Sequence, residues 1–494
     1  MTGFTRILAC IGLCVSIGSA VVAQNGAFCG TPAEISKWTE DYLSNRQAFQ
    51  KNNNLLYVPL VVHIVGTNEG DGYISVNSVL NALCTMNEDF APGNIQFYLD
   101  GNFRYINRSD YYDHTSTSTG NRMHSDYRVS NALNFYIVLN AANNSGYATG
   151  IGGSGVIVRK SEISSGNHTL AHEIGHALGL YHTFFGWEAV SEPNYTENAP
   201  NQIFGRLVER VDGSNCDQAA DGFCDTSPDY LNDRWNCDSE GLSTVVQKDP
   251  TGQSFKSDGT NIMSYSLDRC ITRFSAGQVQ AMRSHLQSAK SSYLNRAQPA
   301  NSIDAVTSTP LTPSKGETVD YNSVFLQWEP LPEATSYILE VSILGSFPAA
   351  LTQTHYVNTN SVTITGLNNN RTYYWRIKGY NRNSFCTKFS SSSTFRTADM
   401  TTSVNDLDEK SIFEIFPNPL SEGQTWTIQV TTPESTDLTL RMLDVSGKLI
   451  QTSNYEVLAG ESTLKFTPNS PAKGMYFLNF TTARGNSVKR VMIQ

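Results

Sequence analysis

The apolar positions change rhythm several times along the chain. An amphipathic stretch from Ile35 to Phe49 leads into the run Leu55 to Val65, which is almost continuously apolar and β-branched and predicts a buried strand. Across 74–90, Val76, Val79, Leu80, Leu83, Met86, Asn87 and Phe90 recur at helical spacing, whereas Ile95–Leu99 and Leu133–Leu139 return to strand-like patterns. Strands mixed with helices predict an α/β core. From about 296 to 315 the chain is rich in Pro, Ser and Thr and poor in apolar residues, the signature of a linker. Residues 320–397 then alternate short strands with turn signals such as Asn368-Asn369-Asn370, as in an all-β sandwich. A polar stretch, 398–411, precedes a last strand-rich unit. The chain has no internal repeat and no extended low-complexity tract.

A length of 494 residues agrees with several folded units. The N-terminus carries Arg6 and then an apolar stretch, Ile7 to Ala23, which closes on Gly-Ser-Ala-Val-Val-Ala. That pattern predicts a signal peptide cut after Ala23. A membrane anchor fits poorly, because the segment is short and interrupted by Gly12, Ser16, Gly18 and Ser19. No other apolar run is long enough to span a bilayer, so no stable membrane span is expected. A net charge of -10 with scattered Lys and Arg excludes an electrostatic footprint for nucleic acid.

Export implies an oxidising compartment. Cys10 and Cys14 leave with the signal, and seven cysteines remain: Cys29, Cys84, Cys216, Cys224, Cys237, Cys270 and Cys386. An odd set cannot pair completely within one chain. Four of them lie between 216 and 270, where three connectivities are open.

The chemistry concentrates at 172–182, His-Glu-Ile-Gly-His-Ala-Leu-Gly-Leu-Tyr-His. On a helix His172 and His176 project from one face, close enough to share a metal. Glu173 follows about 100° around the helix, placed to act on a water without being a ligand. Gly179 can end the helix in a left-handed conformation and return His182 as a third ligand. Three nitrogens leave one position open, the arrangement of a catalytic zinc site. Only nine residues are His, and four of them, 168, 172, 176 and 182, fall within the fifteen residues 168–182, which argues against coincidence. His168 has the same spacing to His172 but no glutamate after it, and reads as a neighbour near the helix start. Imidazole alone suits several metals. The adjacent glutamate favours zinc hydrolysis, with Glu173 taking the proton and later delivering it to the leaving amine.

At these residues, continued by His182-Thr183-Phe184, the chain resembles the metzincins, and within them the pappalysin and cytophagalysin family. The likeness covers roughly 55–290, through Val58-Pro59-Leu60-Val61-Val62-His63, the helix with Leu83, Asn87, Asp89 and Phe90, Asp221-Gly222-Phe223-Cys224-Asp225-Thr226 and Asn261-Ile262-Met263-Ser264-Tyr265. The resemblance implies a Met-turn, with Met263 as an apolar floor beneath the metal and Tyr265 binding the metal or stabilising the tetrahedral intermediate. It also implies disulfides Cys237–Cys270 and Cys216–Cys224. Asp221 and Asp225 could supply the hard oxygen ligands of a calcium site, but Asp225-Thr226-Ser227-Pro228 departs from the commoner Asp-Thr-Pro, and a solvated acidic loop is the competing reading. Asp268, five residues past Met263, is a candidate pocket for a basic side chain just after the scissile bond. Cys29-Gly30-Thr31 resembles a switch segment in which the Cys29 thiolate occupies the open zinc position and keeps a zymogen latent. A disulfide from Cys29 to Cys84 or Cys386 is the competing reading.

Residues 320–397 resemble a fibronectin type III module, with Trp328, Tyr337, Leu367 and Tyr373 at its core positions. Strand alternation places the aromatics at 373–375 in the core in preference to a sugar-binding platform. From 416 the chain resembles the type A sorting domain of the type IX secretion system, through Phe416-Pro417-Asn418-Pro419, Leu443-Asp444-Val445-Ser446-Gly447-Lys448, Gly474-Met475-Tyr476 and Lys489-Arg490-Val491. The expected plan is a signal peptide (1–23), a propeptide-like segment (24–54), an α/β (α+β) metzincin domain (55–297), a linker (298–315), a fibronectin type III domain (316–398), a second linker (399–411) and the sorting domain (412–494). The catalytic domain is thus followed by two all-β, sandwich-like domains.

The function expected is a secreted endopeptidase with one Zn2+, protein or peptide substrates and type IX secretion machinery as partner, extracellular or attached at the cell surface. Two rivals fit parts of the pattern: an adhesin whose metal domain only binds, and metal-dependent hydrolysis of a non-peptide bond. Intact His172, Glu173, His176 and His182 favour the peptidase.

Overall fold

The computed structural model describes residues 28–49, 52–296, 301–303, 307–399, 412–445, 447–469, 472–482 and 485–494. The expected signal peptide and nearly all of the second linker lie outside the described residues. The chain forms two compact units. One holds residues up to 317 together with 325–364 and 373–395; the other holds 318–324, 365–372 and 396–494.

The first unit is built on β1 (Leu56–Gly66), whose residues are all buried except half-buried Tyr57. Such a strand must be covered on both faces, and its apolar run allows that. β1 pairs in parallel with β2 (Ile95–Leu99), β3 (Arg104–Asn107) and β4 (Leu133–Val138). β4 pairs in parallel with β6 (Gly155–Arg159), and β5 (Gly146–Ala148) closes the edge antiparallel to β6. The sheet order is therefore β2-β1-β4-β6-β5, with β3 beside the far end of β1.

Ahead of β1, α1 (Lys37–Ser44) is capped by Ser36, whose side chain accepts from Thr39 N. Between β1 and β2, α2 (Val76–Phe90) starts at Ser75 and lays Val79, Leu80, Leu83 and Met86 into the core. It ends where Ala91-Pro92-Gly93 tightens into a short 3-10 turn. Downstream come α3 (Thr117–Tyr127), α4 (Thr169–Ala177) and α5 (Ala276–Gln287). α4 packs against β5 and β6 and touches α2, so it crosses the sheet at its antiparallel edge. That placement puts one strand, β5, beside whatever chemistry α4 carries.

The sandwich-like region contributes strands Ser336–Ser342, Thr352–Val357 and Thr372–Tyr380, all antiparallel. Trp328, Tyr337, Leu367 and Tyr373 are buried, and Tyr373 and Trp375 point inward while Tyr374 is half-buried. The aromatic group at 373–375 is thus mainly core. Within the first unit this region is tied to the sheet edge: Leu99 N donates to Arg382 O at 2.8 Å, Arg382 Nε donates to Leu99 O at 2.6 Å, and Lys378 Nζ donates to Asn81 Oδ1 at 3.0 Å. Cys84 on α2 is disulfide-bonded to Cys386. That bond leaves neither cysteine for Cys29, which is free and buried.

In the second unit, Ile412–Phe416, Trp426–Thr432 and Gly460–Phe466 form one antiparallel sheet. Thr436–Asp444, Leu449–Val457, Gly474–Thr482 and Gly485–Ile493 form another. Burial alternates along Trp426–Thr432, with Trp426, Ile428 and Val430 inward, as expected of a strand with one covered face. No helix among the described residues is long and apolar enough to cross a membrane.

Candidate metal centre

α4 is buried along its whole length, an unusual setting for two histidines and a glutamate. The helix stops at Leu178, and Gly179 takes φ +95°, a conformation that strains any residue with a Cβ. The chain then reverses, and Leu180 O accepts from His176 Nδ1 at 2.9 Å while His182 comes back to the helix. His172 Nδ1 donates to Ile262 O at 2.7 Å, and His182 Nδ1 lies 3.1 Å from the Glu188 carboxylate. With every Nδ1 proton committed, each Nε2 carries a lone pair.

The three Nε2 atoms converge: His176 Nε2 is 3.2 Å from that of His172 and 3.1 Å from that of His182. Lone pairs so placed repel one another and call for a cation. Tetrahedral zinc with nitrogens at about 2.0–2.1 Å separates its ligands by roughly 3.3 Å, so the donor set fits. Burial pushes the His172 and His176 pKa values well below the usual imidazole range, and electrostatic repulsion from the neighbouring His182 ring acts in the same direction on both. The neutral ring is the ligand form. Cys29 Sγ belongs to the same cluster, with all four ligand atoms within 4.8 Å of one another.

Glu173 faces β5. Its Oε2 accepts from Thr31 Oγ1 at 2.9 Å and from the Cys29 thiol at 3.5 Å, and burial pushes its pKa up to about 8. The segment Phe28–Thr31 lies along β5, with Cys29 bridged in parallel to Gly146 and Gly30 N donating to Gly146 O at 2.9 Å. Burial, and then the Glu173 charge, raise the Cys29 thiol well above its usual range. Below α4, Met263 packs so closely that a Cβ on Gly175 would come within 2.4 Å of its Sδ. The turn carrying Met263 is braced by Asn261, whose Oδ1 accepts from Met263 N at 2.8 Å and whose Nδ2 donates to Gln278 on α5 at 2.9 Å. Tyr265 is buried against His182 and His172, and its hydroxyl donates to Cys29 O at 3.2 Å.

An "Extracellular metalloprotease" of the fungus Colletotrichum graminicola is 27% identical over 308 residues, which span 56% of this chain and 96% of the relative. Another protein of that name from the same organism is 31% identical over 212 residues, 37% of this chain and 74% of the relative. The chain belongs to the extracellular metalloprotease family. Residues 414–494 of the metalloprotease match the family described as "Secretion system C-terminal sorting domain". Among solved structures, the chicken CNTN1 FN1-FN3 domains cover 40% of this chain and 69% of their own at 14% identity, with a TM-score of 0.19, too low to support any statement on fold. The metalloprotease is a secreted or cell-surface protein.

The metalloprotease joins Cys237 to Cys270 and Cys216 to Cys224. Asp221 Oδ1 accepts from Phe223 N and Thr226 Oγ1, both at 3.0 Å, and burial pushes its pKa to about 7. Asp225 accepts from Ser275 Oγ at 2.9 Å and Gly277 N at 2.7 Å, at the start of α5. Both carboxylates thus bind protein donors, and neither belongs to a cluster of three metal-type ligand atoms among the described residues. Asp268 accepts from His168 N at 3.1 Å and pairs with Arg234 at 3.3 Å. His168 turns away from the cluster, its Nδ1 2.9 Å from Asp89 Oδ2.

Three contributors were not legible beforehand. Thr31 stood in the quoted Cys-Gly-Thr segment without a role of its own. Glu188, which orients His182, carried only the weak signal of an acid in the loop after the third histidine. Phe28, whose ring lies against His172 at 5.1 Å and Tyr265 at 5.3 Å, carried none.

Proposed function

We propose that the chain is a zinc-dependent endopeptidase of the metzincin type, pappalysin-like, secreted by the type IX route and held latent by its own Phe28–Thr31 segment. The observation that carries this reading is the convergence of three Nε2 lone pairs in a buried site, with Glu173 one residue from the first ligand. His172, His176 and His182 would hold the metal, which when bound lowers the pKa of water and polarises a carbonyl. Glu173, one residue along α4 from the first ligand, receives a proton at its carboxylate from the attacking water and passes it to the leaving amine. The Tyr265 hydroxyl, freed from Cys29 O, donates to the oxygen on which charge develops. Met263 keeps the floor of the site apolar and rigid. β5 offers backbone groups to an extended peptide in the place now taken by residues 28–31.

Latency follows from the same contacts. Cys29 Sγ sits within ligand distance of the histidine set, and Thr31 holds the Glu173 carboxylate that hydrolysis requires. X-ray absorption at the zinc edge of the secreted precursor should show one sulfur among nitrogen neighbours, and Cys29→Ser should give a precursor that hydrolyses peptides without prior cleavage. Only nitrogen and oxygen around the zinc, with a precursor already active, would remove the latency. A purified chain that binds no metal would remove the peptidase reading itself.

A further inference from the structure

We propose that Arg234 builds a substrate subsite beside the metal-binding histidines that selects an aromatic side chain. This rests on the reading above, in which Phe28–Thr31 lies where substrate is bound. Phe28 is buried to 5% exposure in a three-sided box: the His172 ring at 5.1 Å, the Tyr265 ring at 5.3 Å and the Arg234 guanidinium 3.8 Å from the ring centroid. Both aromatic contacts are edge-on, at 70° and 83°. The guanidinium covers a face of the ring, the geometry in which a cation meets the negative side of the π-system.

Arg234 is held in that pose from behind. It donates to Ser266 O and pairs with Asp268 Oδ2 at 3.3 Å, while Asp268 Oδ1 accepts from His168 N at the start of α4. The Asp268 carboxylate is therefore engaged on both oxygens, and a basic substrate side chain entering the box meets the Arg234 cation first. An acidic side chain finds that cation already neutralised by Asp268. A flat apolar ring satisfies the edges of His172 and Tyr265 and the face of Arg234 together. Asp268 is thus a positioning residue for Arg234, in contrast to the direct partner for Arg expected from the sequence.

The test is cleavage-site profiling of the activated, metal-loaded enzyme on a mixed peptide library, with wild type, Arg234→Gln and Arg234→Lys compared after thermal melts establish that each is folded. The expected result is enrichment of Phe, Tyr or Trp at one of the two positions flanking the cut. Arg234→Gln should reduce the preference for Phe over Leu by about 5- to 30-fold, the range of a desolvated cation–π contact. Arg234→Lys keeps charge without the planar face and should fall between, and it carries the test if the glutamine variant does not fold. Calorimetry of Phe- and Leu-bearing product peptides with chelator-treated protein should give the same order of affinities. Hydrolysis without aromatic preference, or a preference for basic residues indifferent to Arg234, would overturn the subsite and leave the peptidase standing. Absence of hydrolysis of every peptide by the metal-loaded wild type would instead overturn the peptidase.

Discussion

The two units bury opposite kinds of side chain. Between 160 and 290 the first unit encloses His172, Glu173, His176, His182, Glu209, Asp221 and Asp229. From 412 to 494, Thr432 is the one buried polar side chain among the described residues, and the core is otherwise Trp426, Ile428, Val430, Leu440, Leu478, Phe480 and their like. Burying an ionisable group costs several kcal/mol unless it is paired or neutralised. Asp229 shows how the first unit manages this: its carboxylate accepts from Thr183 and Ser264, and burial also pushes its pKa upward. A region that carries such groups is shaped by chemistry more than by stability, whereas an apolar sandwich core is shaped by folding. Changes at these buried ionisable groups of the first unit should therefore alter activity with little change in melting, and changes in the apolar core of the second should do the reverse.

The largest effect is expected from Glu173→Gln. Removing the general base should lower kcat/KM by about 10²–10⁴, with metal content by mass spectrometry and melting temperature close to wild type. Loss of the metal would reassign Glu173 as a ligand. Next, Trp426→Ala should destabilise the C-terminal unit by about 3–5 kcal/mol in denaturant melts while peptide hydrolysis per folded molecule stays unchanged. A matching loss of activity would erase the contrast between the units.

The joint replacement Cys84→Ser and Cys386→Ser should cost about 2–4 kcal/mol, read as earlier thermal unfolding of the first unit with the metal centre intact below the transition. Smallest is Thr31→Val, which removes the hydroxyl bonded to Glu173 and to Ala148 N. A loss of about 1–3 kcal/mol in docking of the segment should appear as faster hydrogen exchange at Phe28–Thr31. Unchanged exchange would mean that Cys29 and Gly30 hold the segment unaided.

The local periods were readable where burial is one-sided or complete. The β-branched run at 55–65 became β1, the helical spacing at 74–90 became α2, and the Gly179 reversal that returns His182 was written in the motif. Apart from the disulfides Cys237–Cys270 and Cys216–Cys224, which the resemblance implied, contacts between distant chain segments could not be read. The pairing of Asp268 with Arg234 spans 34 residues, and Cys84 with Cys386 spans 302. No local pattern encodes either. Phe28 is similarly silent, since one aromatic beside a small loop has no periodicity, and only folding lays it across His172 and Tyr265.

The Cys84–Cys386 bond closes a covalent ring of chain around most of the first unit. A cut within that ring leaves the two ends tethered and the fragments co-migrating until a reductant is added. A cut between Cys386 and residue 414 has no such safeguard, and leaves the residues that match the sorting family without a covalent link to the ring. The same bond therefore divides the chain into a stretch whose fragments stay covalently joined after one cut and a stretch whose fragments do not.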